Sequence, residues 1–92
     1  MIVRILGDDQ YDVAETEVAG LNELDDKLQR AVDSGDEQRF AAALGVLLAR
    51  VRAVGTKLPA DALTPSDALL PQDDASLAEV ADTLHEEGLI PG

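Results

Sequence analysis

In Ala31-Val32-Asp33-Ser34-Gly35-Asp36-Glu37-Gln38-Arg39-Phe40 one helix stops and another starts within two residues. Gly35 reaches the left-handed conformation that ends a helix without a side-chain penalty. Asp36 carries a short carboxylate that can accept the free N–H groups opening the next helix. Two helices joined this tightly must run antiparallel, so the centre of the fold is a helical hairpin.

The helix before the junction is expected from about Glu15 to Ser34. Val18, Leu21, Leu24, Leu28, Ala31 and Val32 form one apolar stripe at helical spacing. Glu23 with Lys27 and Asp26 with Arg30 are i,i+4 pairs in the favourable order, predicting ion pairs along a solvated face. The helix after the junction, about Glu37 to Val54, is apolar on two sides. Phe40, Leu44, Leu47, Val51 and Val54 make a front stripe; Ala42, Val46, Ala49 and Ala53 make a back stripe. Burial within so small a domain is the expected fate of both. The alternative for the back stripe is self-association, as a structural homodimer, or docking of a partner helix.

Outward from the hairpin, Met1 to Leu6 is apolar apart from Arg4 and rich in β-branched residues, which predicts a strand. Gly7-Asp8-Asp9-Gln10 is turn chemistry, and Tyr11-Asp12-Val13 alternates, giving an N-terminal β-hairpin. Residues 58–74 hold three of the four prolines and read as irregular, with room for a third strand at Ala68-Leu69-Leu70. Ser76 and Glu79 form a capping box for a short last helix with Leu77, Val80, Ala81 and Leu84 on one face. The expectation is one α+β domain over residues 1–92.

The net charge of −12 is unevenly spread. Residues 8–37 carry eleven acids and two bases, and residues 58–92 carry eight acids and no base. Between them, residues 38–57 carry Arg39, Arg50, Arg52 and Lys57 and no acid. The surplus argues against binding nucleic acid or anionic lipid directly. Arg39, Arg50 and Lys57 share one flank of the second helix on a helical wheel. That flank is expected to be neutralised by the chain's own acidic helix and C-terminal segment, with pairing to a partner's acids as the alternative. A partner-binding surface would comprise Arg39, Ala42, Val46, Ala49, Arg50, Ala53 and Lys57.

Nothing points to catalysis. The chain has no cysteine, and its single histidine, His85, sits beside Glu86 and Glu87 with no nucleophile to activate. His85 reads as a solvated residue near a helix C-terminus. One Tyr and one Phe cannot build a sugar- or base-stacking cleft. No Gly-rich phosphate loop is present, and no cofactor is implied. Asp8, Asp9, Asp12 and Glu15 form one acidic cluster and Asp73 and Asp74 another; neither spacing matches an EF-hand loop, and a metal or small ligand would be sensed at the turn Asp8–Asp12. No stretch has the length of a membrane span or the pattern of a signal peptide, so the cytoplasm is the expected location.

Several segments together resemble the PspA-associated (PspAA) family, found beside phage-shock protein A in actinobacteria and archaea. They are Met1-Ile2-Val3-Arg4-Ile5-Leu6-Gly7, Gln10-Tyr11-Asp12-Val13 and Leu21-Asn22-Glu23-Leu24-Asp25-Asp26. Gly55-Thr56-Lys57-Leu58-Pro59, Pro65-Ser66-Asp67, Leu70-Pro71 and Glu86-Glu87-Gly88-Leu89-Ile90-Pro91-Gly92 complete the set. The resemblance implies a non-enzymatic accessory role in envelope stress, acting with a PspA-like coiled-coil protein. It supplies no catalytic residues.

Overall fold

Val3 and Ile5 are buried and Arg4 is exposed, so the first strand shows the alternation of a sheet with one covered face. The computed structural model describes residues 1–59 and 64–83, the last three of these as backbone. In chain order its elements are β1 (Ile2–Ile5), β2 (Gln10–Asp12), α1 (Glu15–Ser34), α2 (Glu37–Val54), β3 (Thr56–Lys57), β4 (Ala68–Leu70) and α3 (Leu77–Thr83).

The hairpin junction forms as its residues dictate. Gly35 has φ 72° and donates its N–H to the Val32 carbonyl. The Asp36 carboxylate accepts from the N–H groups of Gln38 at 2.9 Å and Arg39 at 3.2 Å. Glu15 and Glu17 in the first turn of α1 complement the positive end of its dipole.

The four strands lie in the order β3-β2-β1-β4. β1 and β2 pair antiparallel with Val3 opposite Tyr11; β4 runs parallel to β1 with Ala68 beside Val3. That register puts Val3, Tyr11 and Ala68 in one row on the face that packs against the helices. Phe40, Leu44, Leu47, Leu48 and Val51 of α2, with Leu21 and Leu28 of α1, fill the core above them. On the other face the buried Gln10 amide donates to the Thr64 carbonyl and the Ser66 hydroxyl, both at 2.7 Å. This holds the approach to β4 against the sheet. Gly7, at φ 78°, supplies the turn of the β-hairpin.

Most expected elements stand where their chemistry put them. β3 is an addition: Thr56 and Lys57 pair with β2 directly after α2 ends. Lys57 therefore belongs to the sheet and not to a helical flank, correcting its place on the wheel. Asp25 of α1 is buried despite its charge, which apolar periodicity does not foresee. Ser76 caps α3 by accepting the Glu79 N–H. Val80 is buried and Leu77 packs on the core, while the Ala81 side chain, Leu84 and His85 lie outside the described residues. No helix among the described residues is long and apolar enough to cross a membrane.

The α2–β3 corner depends on Gly55. A methyl group there would stand 2.7 Å from the Val51 carbonyl oxygen and 2.9 Å from Tyr11 Cβ. Backbone on one side and a packed core residue on the other leave neither contact an easy way to relax. Gly55→Ala is expected to lower stability by about 1–3 kcal/mol, read as a fall in the urea midpoint; an unchanged midpoint contradicts this packing.

Candidate functional site

The front and back of α2 have different fates. Phe40, Leu44, Leu47 and Val51 are buried and Val54 partly so, whereas Ala42, Val46, Ala49 and Ala53 are exposed, Val46 at 54%. Burial of the back stripe, the expected outcome, does not occur. The front already meets α1 and the sheet, and α3 approaches the N-terminal end of α2, where the Leu77 N–H donates to Glu37 Oε2 at 3.4 Å. Among the described residues nothing is left to cover the back.

Three cations are held by acids of the same chain. Arg52 places Nη1 and Nη2 each 3.2 Å from the two Asp73 oxygens and Nε 3.0 Å from Asp8 Oδ2. This two-sided fork ties the end of α2 to the β-hairpin turn and to the loop before α3. The Arg52 guanidinium, followed by the Asp9 N–H, holds the Asp8 carboxyl below its ordinary value near 3.8. Lys57 Nζ lies 3.0 Å from Asp9 Oδ2, which raises the ammonium's pKa, and Arg50 reaches Glu17 of α1 at 3.2 Å. Of the predicted flank, Arg50 is thus neutralised by α1 and Lys57 by the β-hairpin turn, whereas Arg39 is not closely paired.

These pairs also redefine the acidic turn. Asp8 and Asp9 already serve a guanidinium and an ammonium, so a cation at this turn would have to displace both. Asp12 is exposed one residue beyond Tyr11, whose hydroxyl donates to Asp8. Among the described residues no group of three or more His, Cys, Asp or Glu is placed to hold a metal.

The depressed Asp8 pKa fixes the sign of an acid effect. A carboxyl that binds protons less readily when folded contributes stability above its unfolded pKa and loses it as pH falls through the folded value. Stability is therefore expected to drop below about pH 4. Asp8→Asn, which lacks this titration, should be less stable than the parent at neutral pH and lose less between pH 7 and pH 3. Urea midpoints at the two pH values check this; an equal acid loss in both proteins contradicts it.

Lys27, Arg30 and Arg39 are used differently. The predicted pairs Glu23–Lys27 and Asp26–Arg30 do not form, and neither base has an ion-pair partner among the described residues. Arg39 keeps only a loose 3.8 Å pair with Asp36, its side chain 76% exposed. All three instead line one groove between the two helices. Near the helix junction, Lys27, Arg30 and Ala31 of α1 face Arg39, Ala42 and Ala43 of α2 around a depression of about 330 Å³. A second depression of about 200 Å³ shares Lys27, Ala42 and Ala43 and extends to Leu24 and Val46. The floor is alanine, so the helix backbones approach the surface; the rim carries positive charge, its aliphatic stems lying beside apolar surface.

Of the seven candidate partner-binding residues, the groove unites Arg39, Ala42 and Val46. Ala49 and Ala53 continue the exposed back of α2 without lining it, and Arg50 and Lys57 are engaged elsewhere. Leu24, Lys27, Arg30, Ala31 and Ala43 were not among the candidates. Leu24, Lys27 and Ala31, at i, i+3 and i+7, were the available signal on α1.

A family model described as PspA-Associated protein matches residues 1–92, the whole chain. Searches of curated proteins and of solved structures return no match.

Proposed function

Because this chain belongs to the PspA-associated protein family, we propose that it is a non-enzymatic adaptor in the cytoplasm that docks on a PspA-type coiled-coil protein during envelope stress. The observation that carries this reading is the groove between α1 and α2. Two parallel ridges with an alanine floor and apolar ends at Leu24 and Val46 suit a third helix laid along them. A coiled-coil protein presents helices with regularly spaced large aliphatic side chains, the complement of such a floor.

The lining supports binding over bond-breaking. It offers aliphatic and cationic side chains, with no carboxylate, hydroxyl or imidazole among the described lining residues to move a proton or attack a substrate.

Calorimetric titration of the chain with the PspA-type protein from the same genome tests the reading. A dissociation constant on the order of micromolar is expected. No binding up to several hundred micromolar, on the order of a hundred times that value, contradicts direct docking.

A further inference from the structure

Resting on the adaptor reading for its biological setting, we infer that the groove takes an acidic amphipathic helix, with a large aliphatic residue over Ala42 and Ala43 and carboxylates reaching Lys27, Arg30 and Arg39. Nineteen acids face seven bases. In so acidic a chain most cations are expected to be taken up internally, as Arg50, Arg52 and Lys57 are. Three of the remaining four nevertheless converge on one groove, two of them without ion pairs among the described residues and the third at 3.8 Å from its acid.

Lys27 and Arg30 each had an acid four residues earlier on their own helix and are not paired with it. A local concentration of positive charge with apolar surface between the charges specifies a partner of opposite sign carrying an apolar centre. At physiological salt, charges farther away than about 8 Å are largely screened. An acidic helix seated in the groove therefore meets the three cations more strongly than the distant acids of the chain.

The same cations disfavour a second copy in this position. A two-fold contact through the groove would set Lys27, Arg30 and Arg39 against their own counterparts, like charge on like. A membrane surface fits poorly, because the chain as a whole is strongly negative.

The experiment uses the full chain and two synthetic helical peptides, each with leucine at coiled-coil spacing, one flanked by glutamate and the other by lysine. Binding is followed by fluorescence anisotropy. The parent is expected to bind the glutamate peptide and to prefer it to the lysine peptide by about tenfold or more. Combined Lys27→Glu, Arg30→Glu and Arg39→Glu should reverse that preference while leaving the urea midpoint near the parent's, since all three side chains are exposed. If the combined variant unfolds, Lys27→Glu and Arg39→Glu made singly should each weaken glutamate-peptide binding.

Failure of the parent to prefer the glutamate peptide overturns the inference, as does unchanged preference after charge reversal. A dimer seen by light scattering and abolished by the reversal also overturns it, as does stronger retention of the chain by anionic vesicles than by the peptide. The adaptor reading is judged separately, because it stands or falls on titration with the PspA-type protein itself.

Discussion

Phe40→Ala is expected to remove about 3–5 kcal/mol of stability. The ring is fully buried one turn into α2, in the core cluster shared by β1, β2, α1 and α2. It is the chain's single phenylalanine, and a close-packed core of smaller aliphatic residues does not readily collapse into the space a lost ring leaves. A domain of this length has a total stability of roughly 5–14 kcal/mol, so the substitution removes a large share of it. Thermal unfolding should move down by about 15 °C or more, with a matching fall in the urea midpoint. A loss below about 1 kcal/mol would mean that this end of the core is loosely packed.

Val46→Glu is expected to do the opposite: keep the fold and lose the partner. Val46 lies six residues further along the same helix and is 54% exposed at the end of the groove. Replacing it removes little buried surface, and glutamate is the better helix former, so stability should change by no more than about 0.5 kcal/mol. The new carboxylate would stand at the apolar end of a groove read as receiving an acidic helix, replacing a packing contact with a like-charge one. Affinity for the PspA-type protein is expected to fall by about tenfold or more. Val46→Leu, which keeps the apolar surface, should retain binding. Equal binding by Val46→Glu and the parent would remove this end of the groove from the interface.

Together these substitutions separate the two faces of α2, which its sequence already marked as apolar on both sides. The hairpin itself was legible because its junction leaves little choice: only glycine enters φ 72° freely, and Asp36 follows with the carboxylate that the next helix needs. The front stripe was legible because large aliphatics must be covered. The back stripe was not, because alanine is common both inside and outside proteins, and periodicity shows that residues share a face without showing what lies against it.

The cations show the same boundary. Alternating acidic and basic segments predicted internal pairing, and Arg50 with Glu17 fulfils it. The bond from Arg52 to Asp8, 44 residues away, depends on the sheet bringing the β-hairpin turn under the end of α2, which no local pattern encodes. Lys27 and Arg30 were assigned to neighbours on their own helix; such exposed pairs are worth only a few tenths of a kcal/mol, too little to hold a long side chain in one direction. β3 was missed because two polar residues carry no period.

Backbone amide resonances of the labelled domain, followed while the PspA-type coiled-coil protein is added, test the central claim most directly. The groove account predicts the largest perturbations over residues 24–31 and 39–46, with the sheet little changed. Perturbations confined to the exposed edge around Leu69 or to the turn at Asp8–Asp12, with both helix segments silent, would contradict it.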